Sequence, residues 1–286
     1  MKGRKLFEEI GFFLGPRLSV VAIAVLLWII VGDILLNGIG AIRWEFLTQP
    51  PREGMTAGGI FPAIVGTVAV SILMVIFSVP LGISAAIYLT EYATPGRLTR
   101  IIRISIRNLS GVPSIVYGLF GVAFFVQMFH LGTSLLSAGL TLGLLTLPWT
   151  ITASEEALRS VPLAYREGAL ALGATKWQAI RTNVLPYALP GMLTGIILSL
   201  SRAAGETAPI LFTGAAFFLP HLPGSILDQF MALPYHLYIL STQHHAIEQV
   251  RPLAYGTALV LIGLVILLNA AAILLRYRLR RKMYQS

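Results

Sequence analysis

The chain is 286 residues long, with 56% apolar and only 12% charged side chains, whereas an ordinary soluble domain carries roughly a quarter charged residues. That composition excludes a water-soluble fold, and the absence of cysteine excludes disulfide frameworks, thiolate nucleophiles and cysteine-held metals. The net charge of +9 admits a nucleic acid or a membrane surface as partner, and its distribution along the chain decides between them.

Six predominantly apolar stretches run at about 18–40, 62–90, 109–130, 135–153, 188–212 and 253–275. A hydrocarbon core ~30 Å thick needs roughly 20 helical residues, so each is long enough to span, the fourth only just. Open strands would leave backbone groups unsatisfied in lipid, so the spans are expected to be helices. The expectation is an all-α integral membrane protein, one domain over 1–286 with about six transmembrane helices.

The first stretch follows a basic head, Lys2, Arg4, Lys5 and Arg17. It is too long for a signal-peptide core and reads as a retained span. Asp33 lies toward its outer end, where an interfacial placement is expected. The connection at 41–60 is rich in turn formers, among them Pro50, Pro51, Gly54 and Gly58. After the second stretch come Arg97, Arg100, Arg103 and Arg107, then Asn108 and Ser110, which are expected to cap the third helix.

With the N-terminus inside, the inner segments hold 17 Lys and Arg: four in 1–17, the four just named, Arg159, Arg166, Lys176 and Arg181, and five in Arg276 to Lys282. The outer segments hold only Arg43, Arg52 and Arg251. Cytoplasmic loops carry such an excess, so both termini are expected in the cytoplasm. Topology thus accounts for the basic charge, and no nucleic-acid partner is called for.

The segment 154–186 carries the most specific signals. Pro162 suits a helix start, Leu163 to Leu172 reads as helix, and Gly173 sits where a left-handed cap is wanted. Thr175 and Gln178 have the spacing of a capping box, and Trp177, Ile180 and Val184 share one helical face. Helix, glycine turn, helix is the expectation, with small residues such as Ala164, Gly168, Ala169 and Ala171 beside Leu172.

Glu167-Gly168-Ala169, three residues, Gly173, nine residues, Asn183, one residue, then Leu185-Pro186 resembles the cytoplasmic loop shared by ABC importer permeases. The family pattern is Glu-Ala-Ala, three, Gly, nine, Ile, one, Leu-Pro; Gly168 and Asn183 depart from it without changing the spacing. The resemblance implies a coupling helix that docks on an ATPase through Glu167, Gly168, Ala169, Leu172, Gly173 and Ala174. The stretches Asn108 to Gly118 and Arg202-Ala203-Ala204-Gly205-Glu206-Thr207-Ala208-Pro209 narrow it to the membrane subunits of phosphate importers. The similarity covers about 55–275 and implies a type I importer permease in the cytoplasmic (inner) membrane. Its implied partners are an ATPase dimer, a second related permease and an extracytoplasmic phosphate-binding protein, within membrane lipid. A sulfate or molybdate permease is the runner-up, ahead of an ion-coupled secondary transporter. No cofactor is implied. The chain has no Gly-x-x-x-x-Gly-Lys-Ser/Thr loop to cradle nucleotide phosphates, so ATP hydrolysis falls to a partner and the chain is not read as an enzyme.

Within the fifth stretch, Arg202 lies 13 residues after Leu189, roughly 20 Å along a helix. A lone cation near the bilayer middle costs at least ~2.5 kcal/mol, and Glu206, four residues on, is placed to pair with it. Two readings stay open: an ion pair that pins the helix, or a guanidinium fork offered to phosphate oxygens, moderated by Glu206, with Thr207 as a further lining residue. Gly205 and Pro209 are expected to loosen the helix locally. The external segment 213–251 carries Phe217, Phe218, Tyr235 and Tyr238, and is expected along the outer interface. The five histidines all fall at or near that side. His244 and His245 are adjacent, which is not metal-ligand spacing on a helix.

With no native cysteine, Leu170→Cys in intact cells should resist a membrane-impermeant thiol reagent while a cysteine in 213–251 reacts. Labelling at 170 would overturn the assigned orientation.

Overall fold

The computed structural model describes residues 2–283; Met1 and residues 284–286 of the expected domain lie outside the described residues. Helix α1 (Lys2–Gly38) is followed by the short α2 (Trp44–Thr48) and a two-residue hairpin, β1 (Pro51–Arg52) paired antiparallel with β2 (Ala57–Gly58). Helix α3 (Phe61–Ile87) continues as a π-helical turn over Tyr88–Tyr92. Then come α4 (Arg97–Leu109) and α5 (Ser114–Gly121), the latter widening to a π-helix over Val122–Met128. The long α6 (Leu135–Arg159) leads to α7 (Leu163–Ala171) and α8 (Lys176–Ala179). A π-helical stretch, Ile180–Val184, joins α8 to α9 (Leu185–Ala203). The chain closes with α10 (Ala208–Thr213), α11 (Leu233–Thr242) and α12 (Ile247–Met283).

Among the described residues five helical runs are long and apolar enough to cross a membrane, at 16–41, 61–92, 135–159, 176–203 and 247–278; a bent pair, Arg97–Leu109 with Ser114–Met128, passes the same test when taken together as one span. Three boundaries differ from the sequence expectation. The stretch 109–130 does not start at its polar residues: the chain turns by 102° between Leu109 and Ser114, because Gly111 and Pro113 interrupt the helix. Asn108 and Ser110 therefore end α4 rather than cap the third span, Ser110 Oγ donating to the Arg107 carbonyl at 2.6 Å. The stretch 188–212 is not one helix either; it stops at Ala203 and restarts at Ala208. The coupling segment 154–186 is shorter in free length, since α6 runs to Arg159 and the helical run of the next span starts at Lys176, leaving 160–175, with α7 inside it, as the connection.

Helix α6 is the axis of the bundle, and small residues let its neighbours approach. A Cβ at Gly139 would lie 2.7 Å from Leu73 of α3, and one at Gly82 of α3 would lie 2.6 Å from Thr150. On the other side Gly191 of α9 faces Ala157 at 3.0 Å. Packing of this kind, rather than hydrophobic expulsion, holds helices together in lipid. One apolar cluster (Val70, Met74, Leu142, Phe230, Ile239) fills the outer half of the bundle, and a second (Leu89, Ile151, Leu158, Val184, Met192) the inner half.

The N-terminus of α6 needs partners for its orphan N–H groups. Ser134 accepts from the Ser137 N–H, while Leu135 and Leu136 donate to the carbonyls of Asp228 and Ile226, each at 2.8 Å. The external segment 214–232 is thereby tied over the end of the bundle. Gly66 of α3 makes room for it, since any Cβ there would strike the Met231 carbonyl.

Candidate functional site

Arg202 is the penultimate residue of α9, and Glu206 lies beyond its end. The backbone turns through Ala204 to Thr207, with Gly205 N–H donating to Arg202 O and Glu206 N–H to Ala203 O, both at 3.1 Å. The pair therefore forms across a helix break and not along one helical face, with Arg202 Nε 3.4 Å from Glu206 Oε1. The guanidinium also lies over the Trp149 ring, 5.4 Å from its centroid, a stacked arrangement to which its weakly hydrated plane is suited.

Trp149 gives the height of the site. It stands 14 residues into α6, roughly 21 Å from that helix's outer end at 1.5 Å per residue, which is deep in the bilayer. Arg202 is nevertheless 49% exposed in this chain, against 16% for Glu206. The acid is held within the protein and the base projects from it. Thr207 is half-buried between the two helices, its carbonyl accepting from Leu211 N–H at 3.1 Å.

The two stretches singled out in the sequence meet here. A Cβ at Gly118 of α5 would sit 3.1 Å from both the Ala208 carbonyl and Pro209 Cα, and 2.9 Å from the Phe212 ring, so α5 and α10 are in close contact. Tyr117 braces the bend before α5 by donating from its hydroxyl to the Leu109 carbonyl at 3.0 Å. The break after Arg202 and the bend after Leu109 thus belong to one assembly.

The connection at 160–175 is built to hold a shape. Gly173 adopts φ +83°, a backbone region that only glycine enters without strain. Ala174 N–H donates to Ala169 O and Gly173 N–H to Leu170 O, at 3.1 and 3.0 Å, the double closure of a Schellman cap. The capping box at Thr175 and Gln178 is complete, with bonds of 2.8 and 3.3 Å. Outward-facing positions include Glu167, Gly168 and Gly173, with Leu172 at 90% exposure.

Ala169 is buried against the chain's own body, and Ala174, Leu185 and Pro186 are partly covered. Ala169 is thus no part of an outward docking face, contrary to the sequence expectation. Leu163 and Trp177 are exposed on that side. Ile180 and Val184 are buried as the shared face required, but Trp177 is half-exposed. The π-helical stretch Ile180–Val184 changes the register that the 3.6-residue period assumes.

In the sequence Arg166 stands out only as a topological charge. Its Nε and Nη2 reach Glu91 at 3.0 and 2.7 Å, Nη2 also donates to Leu158 O, and Nη1 to Val161 O, both at 2.8 Å. One guanidinium thus joins α7, the end of α3 and the C-terminal carbonyls of α6. Lys176 Nζ adds a contact 4.9 Å from the Tyr92 ring centroid. Arg103 similarly ties α4 to α6 through Glu155 at 3.1 Å. The only sequence signal for these bonds is the presence of Glu91 and Glu155 near the inner ends of spans.

A multi-pass helical bundle with a charged break deep within it and a pre-shaped loop at its cytoplasmic end is the membrane subunit of a transporter. Residues 78–285 match the model of the binding-protein-dependent transport system inner membrane component, and the chain belongs to that family. It is 31% identical over 283 residues, covering 94% of this chain and 95% of the relative, to the probable ABC transporter permease protein YqgI of Bacillus subtilis. It is 33% identical over 277 residues, 95% of this chain and 88% of the relative, to the phosphate transport system permease protein PstA 1 of Mycobacterium tuberculosis. A bacterial alginate ABC transporter, solved in complex with its pentasaccharide-bound periplasmic protein, has the same fold, with TM-score 0.69 at 15% identity over 96% of this chain and 98% of that one. The chain is accordingly a multi-pass inner-membrane transport subunit, not an enzyme. Permeases of this family work with a separate ATPase and a substrate-binding protein.

Removing Arg166 would leave the Glu91 carboxylate, 8% exposed, without its partner. Arg166→Met should destabilise the loop by about 2–3 kcal/mol, less than the ~3–5 of a fully buried pair. Amide hydrogen exchange over 163–175 should rise with it. Adding Glu91→Leu should restore most of the protection; unchanged exchange in Arg166→Met would show that the bond does not set the loop.

Proposed function

We propose that this chain is one of two related permease halves of an ATP-driven, binding-protein-dependent importer of inorganic phosphate. The observation that carries the reading is Arg202, a permanent cation deep in the bundle whose guanidinium projects from the chain beside a helix break. A planar fork of donors suits tetrahedral oxyanions. The similarity to phosphate transport permeases supports phosphate as the oxyanion.

An unopposed cation in a low-dielectric passage would hold a phosphate too tightly to release it. Glu206 competes for the same guanidinium, and at 3.4 Å the pair is close enough to attract yet long for an optimal charged hydrogen bond. The arrangement suits transient contact along a route better than storage. Thr207 supplies a hydroxyl next to it.

The cytoplasmic loop is the docking surface for the ATPase in this reading. Its outward face combines a bare helical position at Gly168 and the glycine turn at Gly173 with the exposed side chains Leu163, Leu172 and Trp177 and the carboxylate of Glu167. A Cβ at either glycine would meet nothing within 4 Å in this chain; Gly173 is required by its left-handed backbone, whereas the smallness of Gly168 serves something outside the chain. Leu185 and Pro186 act indirectly, at the entry of α9.

Gly173→Val places a β-branched residue at φ +83°, a strained conformation. It should insert normally but abolish substrate-stimulated ATP hydrolysis in the assembled complex. Normal transport by that variant would remove the docking assignment.

Arg202 and Glu206 are tested together. If the pair only pins α9, phosphate uptake should be restored in Arg202→Gln with Glu206→Gln relative to either single change. With Arg202 on the route, the double variant assembles and still fails to move phosphate, while Glu206→Gln alone slows release. Uptake normalised to assembled complex distinguishes the two, and full uptake in the double variant takes Arg202 off the route.

A further inference from the structure

An open groove of about 450 Å³ runs between α1, α11 and α12 on the outer half of the molecule, away from Arg202 and from the cytoplasmic loop. That volume is in the range of small-ligand sites. Its deep walls are aliphatic, with Ile34 of α1, Leu240 of α11 and Ala254 and Ala258 of α12. Its outer lip is polar, formed by Ser241, Glu248 and Arg251, with Tyr255 one turn further in.

The order along α12 sets the depth. Ala258 lies ten residues below Glu248, roughly 15 Å at 1.5 Å per residue, so charged groups sit at the helix start and apolar ones run down into the bilayer. On its other flank the groove meets α1, whose membrane-crossing length leaves side chains such as Trp28 and Leu36 outside the protein body. The groove is therefore open sideways to lipid.

Glu248 and Arg251 are both exposed and make no ion pair or hydrogen bond with the described residues. A carboxylate in the first turn of a helix is favoured by the backbone dipole, which accounts for Glu248. Arg251 lies one turn further in, where the dipole no longer favours an acid, and its guanidinium is left open to the groove. Three residues apart on one helix, the two side chains are neighbours, with Cβ atoms about 5–6 Å apart. They present opposite charges side by side at the mouth of the groove.

We propose that this groove binds one phospholipid of the outer leaflet with a primary-ammonium, zwitterionic head, the phosphatidylethanolamine class. The phosphate lies against Arg251, the ammonium donates to Glu248, and one acyl chain fills the aliphatic floor. The charge balance selects the head. Asp33, which accepts from the Tyr255 hydroxyl at 3.0 Å and from Asn37 Nδ2 at 2.8 Å, adds a second carboxylate beside the groove. With Glu248 it opposes a net-anionic lipid, and a trimethylated head has no N–H to donate.

The test uses the full chain in nanodiscs of equal parts phosphatidylethanolamine and phosphatidylglycerol, doped with a photoactivatable phosphatidylethanolamine. Crosslinks should map to α11 and the start of α12. Excess phosphatidylethanolamine should suppress them, and phosphatidylglycerol or phosphatidylcholine should not. Arg251→Ala with Glu248→Ala should cut labelling there about tenfold, equivalent to ~1.4 kcal/mol, and leave labelling around Trp28 unchanged. Glu248→Lys, which makes the lip wholly cationic, should invert the preference toward phosphatidylglycerol. Equal labelling by all head groups, or an unchanged preference in Glu248→Lys, would overturn the proposal. So would a protein crosslinked into the groove in native membrane vesicles.

Discussion

The closeness with which α3 and α9 approach α6 is the constraint on which the rest of the geometry depends. Lipid tails are as apolar as leucine, so helices in a membrane gain little by hiding apolar surface from it and must associate through fit. Gly139 and Gly143 of α6 receive Leu73 and Phe77 of α3, while Ala157 and Ala153 receive Gly191 and Gly195 of α9. These contacts fix α6 against both neighbours along its length. Trp149, Glu155 and the Leu158 carbonyl are positioned as a consequence, and each holds an arginine of the candidate sites: Arg202, Arg103 and Arg166.

Because one helix carries all three, the cytoplasmic loop is not an independent appendage. Arg166 makes α7 continuous with the inner ends of α3 and α6 through two carboxylate oxygens and two backbone carbonyls. A force on α7 is therefore borne by α6 and α3 rather than absorbed by a slack connection. The short link around Ser160 and Pro162, together with the double cap at Gly173 and Ala174, leaves little free length on either side.

The sequence discloses what depends on local order and hides what depends on tertiary register. Hydropathy locates the apolar stretches, and residue chemistry alone identifies the glycine turn and the capping box, because a left-handed cap and a reciprocal hydroxyl–amide bond are decided within six residues. The limits of the third and fifth stretches escape it because hydropathy alone marks neither the 102° bend between Leu109 and Ser114 nor the break between Ala203 and Ala208. Ala169 looks outward in the motif because its neighbours are, although a helix turns each successive residue by about 100°. Arg166 and Glu91 are 75 residues apart, and no local pattern pairs them.

The break between Ala203 and Ala208 shows what Arg202 must face. Pro209 has no N–H for the carbonyl of Gly205, so the helical ladder cannot be closed at that point. Irregular backbone at membrane depth persists only where protein covers it or where it borders a water-filled cavity. Gly205 is exposed in this chain and Arg202 projects beside it, so the chain does not supply that cover itself. Hydrocarbon is excluded for both groups, since it would satisfy neither a bare carbonyl nor a permanent cation. What lies against this face is therefore polar, whether protein or water. The physical requirement that makes the break costly in lipid is one that the axis of an assembled permease, as proposed, would meet.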